Sequence, residues 1–113
     1  MADDTQGVVD DQDAHRFRYV EGGHEAELVY RAGGGELILI HTGVPDELGG
    51  RGIGGRLVQA AVDRARGNGE TLVPWCPYAR SWMEKHPEAL AGVSVDWRPP
   101  PASDGAGASR QPG

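Results

Sequence analysis

A single cysteine, Cys76, in a chain of 113 residues excludes an internal disulfide, so packing alone holds the fold and a reducing compartment is expected. Long apolar runs are missing as well. No stretch approaches the ~20 consecutive apolar residues of a membrane-spanning helix, and the amino terminus is acidic where a secretory signal is basic and then apolar. A cytoplasmic protein with no membrane partner is the expectation. Arginine and lysine nowhere cluster and the net charge is −6, most of it on the amino-terminal segment, so no basic field exists for a polyanion and no nucleic-acid partner is expected. His15, His24 and His86 have no ligand-like spacing to Cys76, which argues against a metal site.

Apolar residues make up only 38% of the chain, and its two ends account for the deficit. Residues 1–14 hold Asp3, Asp4, Asp10, Asp11 and Asp13 and no basic residue, which predicts a disordered, solvated acidic tail. Residues 98–113 hold Pro99, Pro100, Pro101 and Pro112 among glycine, alanine and serine, which predicts a second disordered tail. A single small domain over residues 15–97 remains, nearly neutral once the acidic tail is set aside.

Within that domain, Phe17–Val20 and the alternation of Ala26, Leu28 and Tyr30 with charged neighbours read as strands joined at Gly22 and Gly23. A third glycine-led strand, Leu37 to Val44, shows no alternation and is expected to be central and covered on both faces. Pro45 ends it. Leu57, Val58, Ala61, Val62 and Ala65 then fall on one side of a helix that Gly67 and Gly69 terminate, before a strand at Thr71–Val73. Parallel pairing of this strand with Leu37–Val44 through the helix makes a right-handed βαβ crossover. Pro77 opens a second helix over Ala79–Lys85, and Ala89–Trp97 is open between a helical turn and a strand. The fold class is α+β, an antiparallel meander leading into a βαβ unit. An exposed sheet edge at Phe17–Val20 permits a monomer or a weak dimer.

Between strand and helix, Gly49-Gly50-Arg51-Gly52-Ile53-Gly54-Gly55-Arg56 places five glycines in seven positions. Glycines at a helix start let the backbone approach a ligand, and the first-turn amides are unpaired donors at the positive end of the helix dipole. A diphosphate suits that cradle, with Arg51 and Arg56 placed for charge-assisted contacts. A Walker loop needs Gly-Lys-Ser/Thr, and Gly55-Arg56-Leu57 stands there instead. Gly50, Gly52 and Gly55 satisfy the dinucleotide pattern G-x-G-x-x-G, with Glu70 downstream for a ribose, but three strands precede it where that fold has its first. An ordinary flexible helix cap is the bland reading.

His41-Thr42-Gly43-Val44-Pro45, Gly50-Arg51-Gly52-Ile53-Gly54, Pro74-Trp75-Cys76-Pro77-Tyr78 and His86-Pro87-Glu88 together resemble the minimal GNAT-like N-acetyltransferases of the YjdJ type, over about residues 15–92. The resemblance implies the minimal GNAT fold, a mixed central sheet flanked by two or three helices. It also implies acetyl-coenzyme A as the acyl donor and an amine acceptor, a small molecule or a protein amine. Gly52 and Gly54 lie on the superfamily's loop motif, and Gly49 stands where glutamine or arginine is usual. The implied catalytic residues are Cys76 and His41. The expected coenzyme-binding residues are Thr42, Val44, Gly50, Arg51, Gly52, Ile53, Gly54, Gly55, Arg56, Tyr78, Arg80 and Ser81, the last two by their place in the first turn of the second helix. Cys76 is open between nucleophile, acid and buried hydrophobe, and a coenzyme A-binding or acyl-sensing module with little turnover is the alternative to an enzyme.

Overall fold

Glycine pairs set the register of the sheet. In the computed structural model, which describes Thr5 and residues 7–101, strands β2 (Arg16–Glu21), β3 (His24–Gly33) and β4 (Glu36–Gly43) form an antiparallel meander. Its two hairpins close at Glu21↔His24 and Gly33↔Glu36. Gly22 and Gly23 have φ of 61° and 82°, and Gly34 and Gly35 have 60° and 80°, the two left-handed residues that a tight turn matched to strand twist requires. Strand β5 (Thr71–Pro74) adds in parallel to β4, from Glu36↔Thr71 to Leu39↔Pro74. Helix α1 (Ile53–Asn68) makes the crossover, and α2 (Pro77–Lys85) follows.

The amino-terminal segment departs from the expected tail. Val9–Asp11 forms β1 against β2, with Asp10 opposite Phe17, so the outer edge is these three residues and Phe17–Val20 is an interior strand. Asp10 is held from far along the chain: it accepts hydrogen bonds from the Tyr30 hydroxyl (2.5 Å) and from Arg64 (3.1 Å), whose guanidinium also forks onto Glu70. Residues 1–4 and 6 lie outside the described residues, as do 102–113 of the expected carboxyl tail. The ordered unit continues past Trp97, because Arg98 makes two hydrogen bonds of 2.8 and 2.9 Å to Glu36. The ambiguous stretch before it is neither full helix nor full strand: Pro87–Leu90 is a 3-10 turn and Val95 makes one parallel bridge to Leu72.

The core lies on one face of the sheet. Phe17, Ala26, Leu28, Leu37 and Leu39 meet Leu57, Val58, Ala61, Val62 and Ala65 of α1 and Ala79 and Met83 of α2 in one cluster. Both helices therefore cover the same face. On β4 only Leu37 and Leu39 are buried while Ile38 and Ile40 are half-buried, so the strand expected to be covered twice is fully covered once. Leu57 is 0% exposed at the start of α1, and Leu57→Ala is expected to cost about 2–5 kcal/mol, read as a shift in urea midpoint at constant slope.

Burial, then the hydrogen bond to Asp10, pushes the Tyr30 phenol up to about 12. The folded state therefore holds this proton more tightly than the unfolded chain. The associated stability is complete below the ordinary tyrosine value near ~10 and is lost as pH rises through about 12. Melting curves between those values should show the fall, and Tyr30→Phe should flatten it.

Candidate functional site

The site begins with an irregularity in β4. Val29 pairs with His41 and Tyr30 with Leu39, which leaves Ile40 as an extra residue, a β-bulge. Beyond it the alternation is reset, so that Thr42, opposite Leu28, faces the helices while exposed His41, opposite Val29, faces the open side of the sheet. Pairing with β5 also stops there. The amides of Trp75 and Cys76 both donate to the Leu39 carbonyl, at 3.0 and 2.8 Å, and the chain then turns away into α2. Among the described residues, no strand pairs with residues 40–43 on that side, and an opening is left between the end of β4 and the start of α2.

The loop from β4 to α1 arrives at this opening. Asp46–Leu48 makes a 3-10 turn anchored by buried Leu48, and the chain then passes Gly50 and Gly52, both at φ 75°. Gly52 is the left-handed N-cap of α1, and its carbonyl accepts the first helical bond from the Arg56 amide. Residues 49–52 form a turn, and among the described residues no amide of residues 50–55 makes a hydrogen bond of ordinary geometry to a protein atom. These donors lie along two joined grooves. One of about 470 Å³ runs from Thr42 and Val44 past Gly50, Ile53 and Gly54, and one of about 570 Å³ continues past Arg51, Gly55 and Arg56; Gly52 and Tyr78 belong to both.

Cys76 is 3% exposed and its sulfur shares a 3.2 Å hydrogen bond with the Thr42 hydroxyl. The bulge thus brings Thr42 to Cys76 and turns His41 to the other face, where its ring lies beside Gly43. Tyr78 spans the two grooves. Partial desolvation, and secondarily the nearby Cys76 sulfur, pushes its phenol above the usual tyrosine range, so it is protonated at neutral pH.

Two of the loop glycines have a further reason to be glycine. A Cβ on Gly54 would stand 2.6 Å from the Tyr78 hydroxyl oxygen, and one on Gly55 would stand 2.7 Å from the Trp82 indole nitrogen. Their bare backbone admits α2 against the first turn of α1. Of the expected binding residues, Arg80 and Ser81 line neither groove; the Arg80 guanidinium instead donates to the Trp97 carbonyl and lies over the Trp97 ring at 5.5 Å. Trp82 and His86, which are not among the expected binding residues, stack at 4.1 Å and line the outer groove. Their i,i+4 spacing on one helix was the available signal.

A family model described as GCN5-related N-acetyl-transferase matches residues 16–93, from the start of β2 to just past the 3-10 turn. The chain belongs to this GCN5-related N-acetyltransferase family. The fold of the acetyltransferase domain agrees: the solution NMR structure of a GCN5-like protein from Staphylococcus aureus superimposes with a TM-score of 0.63 at 29% identity, over 87% of this chain and 94% of that one. Among curated proteins none matches the chain. Within this acetyltransferase domain, and among the described residues, no helix is long and apolar enough to cross a membrane, and no group of three His, Cys, Asp or Glu is placed to hold a metal ion.

Proposed function

We propose that the domain transfers an acetyl group from acetyl-coenzyme A to an amine, with the coenzyme diphosphate on the amides of residues 50–55 and the thioester in the opening between β4 and α2. One observation carries the reading: a run of six main-chain donors, none in a hydrogen bond of ordinary geometry to protein, lies along a groove that leads to Thr42 and Tyr78. Six such donors at a helix N-terminus form an anion site by charge and by geometry. No side chain obstructs them at Gly50 or Gly52, where even an added Cβ would meet nothing within 4 Å.

Acetyl-coenzyme A, when bound, supplies the activated acetyl group. One proton leaves the amine as the C–N bond forms and one reaches the sulfur as the C–S bond breaks. His41, the expected base, lines neither groove and faces the other side of the sheet, so it drops out of the proposal and the amine proton passes to solvent. Tyr78, protonated and standing over the loop, fits the donor to the sulfur. Cys76 is buried and engaged with Thr42, which favours direct transfer in a ternary complex over an acyl-cysteine. The expected coenzyme contacts of Arg80 and Ser81 drop out of the proposal, because neither lines a groove.

Calorimetric titration with coenzyme A should give saturable binding in the micromolar range, with none for NAD. Mass spectrometry after incubation with acetyl-coenzyme A and an amine-bearing peptide should show acetylated amine and unmodified Cys76. Binding without any acetylated amine would identify a coenzyme-binding module instead. No heat and no thermal shift at millimolar coenzyme would remove the reading altogether.

A further inference from the structure

The loop that presents the free amides has little of its own to hold it. Between Leu48 and Ile53 the only side chain is Arg51, two of its three glycines are left-handed, and the amides of residues 50–52 make no hydrogen bond to other protein atoms among the described residues. Glycine segments have the most conformational freedom to lose on being fixed. What reaches across to this loop is β2. The Arg51 guanidinium donates to one carboxylate oxygen of Glu21, and the other accepts a 2.5 Å hydrogen bond from the Tyr19 hydroxyl. Glu21 closes the β2–β3 hairpin and Tyr19 pairs with Ala26 inside the ladder, so both stand on regular backbone. The Tyr19 ring also carries the Arg56 guanidinium at 5.5 Å. Arg56 therefore rests on Tyr19 directly, and Arg51 is tied to it through Glu21.

Resting on the acetyl-coenzyme A reading above, we propose that Tyr19 and Glu21 are positioning residues, a strand-borne latch that holds the phosphate loop in its binding conformation through Arg51. Arg51 lines the outer groove while its guanidinium is latched, so remaining donors of the fork are available to a phosphate. The Arg51 and Glu21 side chains are 49% and 37% exposed, and an ion pair that open contributes little to global stability. Its effect is local: it fixes a rotamer-rich side chain and the glycine backbone on either side before any ligand arrives.

The test uses the full chain with Tyr19→Phe, which keeps the ring under Arg56 and removes only the hydroxyl, with Glu21→Gln, and with both together. Each single variant should melt like the wild type and bind coenzyme A about three- to tenfold more weakly, the scale set by ordering one long side chain. The double variant should lose no more than the worse single one, since both act through Arg51. In turnover, KM for acetyl-coenzyme A should rise while kcat stays. Without ligand, backbone nitrogen-15 order parameters of residues 50–52 should fall in both variants. Unchanged order parameters and unchanged affinity would overturn the latch. Tighter binding by Glu21→Gln would also overturn it, because Glu21 would then be a competitor of the ligand for Arg51. If wild-type protein binds no coenzyme A, the functional reading fails while the order-parameter measurement still decides whether the latch exists.

Discussion

Gly52→Val is expected to weaken coenzyme A binding by about a hundredfold or more while the domain stays folded. Gly52 sits at φ 75° as the left-handed N-cap of α1, a conformation that a β-branched residue adopts only under strain. The loop is therefore forced to a different path, and the aim of the amides on either side is lost. A hydrogen bond to a charged group contributes roughly 1.5–3 kcal/mol, so losing two of them corresponds to about two to four powers of ten in affinity. The stability cost is smaller, on the order of 1–2 kcal/mol for one strained residue, because a Cβ at this position meets nothing within 4 Å. Calorimetry beside a thermal melt separates the two effects. Loss of binding in parallel with loss of folding would contradict this account, as would retained binding.

Tyr78→Phe is expected to lower kcat by about a hundredfold and to leave KM for acetyl-coenzyme A within roughly a factor of three, the signature of losing a proton donor and not a binding contact. The phenyl ring keeps its place beside Gly54, so the wall of the groove is preserved and only the O–H is gone. Because burial raises the phenol above its ordinary range, wild-type turnover should hold through neutral pH and fall on the alkaline side as that proton is lost. The Phe variant should lack that alkaline limb. Should Cys76→Ala show the large kcat loss and Tyr78→Phe none, the donor would be the thiol.

Both predictions depend on features that the sequence shows unequally. Helix α1 was legible from end to end, since its buried residues repeat at helical spacing and Gly69 caps it in the left-handed region. The two hairpins were legible too, because paired glycines between apolar runs have few other uses. Strand β1 was not. Three residues of an acidic segment become a strand only because Tyr30 and Arg64, 20 and 54 positions from Asp10, supply the partners for its carboxylate. The bulge at Ile40 was equally hidden: nothing in a run of apolar residues tells which one will be left unpaired, and that single slip decides that Thr42 and not His41 meets Cys76.

The phosphate loop was legible as glycines before a helix, yet its glycines have different causes. Gly50 and Gly52 are set by backbone sign, whereas Gly54 and Gly55 are set by Tyr78 and Trp82, side chains some two dozen residues further along. The place of Arg80 and Ser81 in the first turn of α2 suggests coenzyme contacts, but the rotation of that helix presents Tyr78 and Trp82 to the grooves, and neither Arg80, which is bonded to Trp97, nor Ser81 lines one.

The most direct measurement of the central claim is a titration of nitrogen-15-labelled protein with coenzyme A, following backbone amide resonances. Saturable shifts concentrated at residues 50–55, with Thr42 and Tyr78 moving in the same concentration range, are the predicted result. Saturable shifts confined to other parts of the chain, or none at all at millimolar coenzyme, would contradict it.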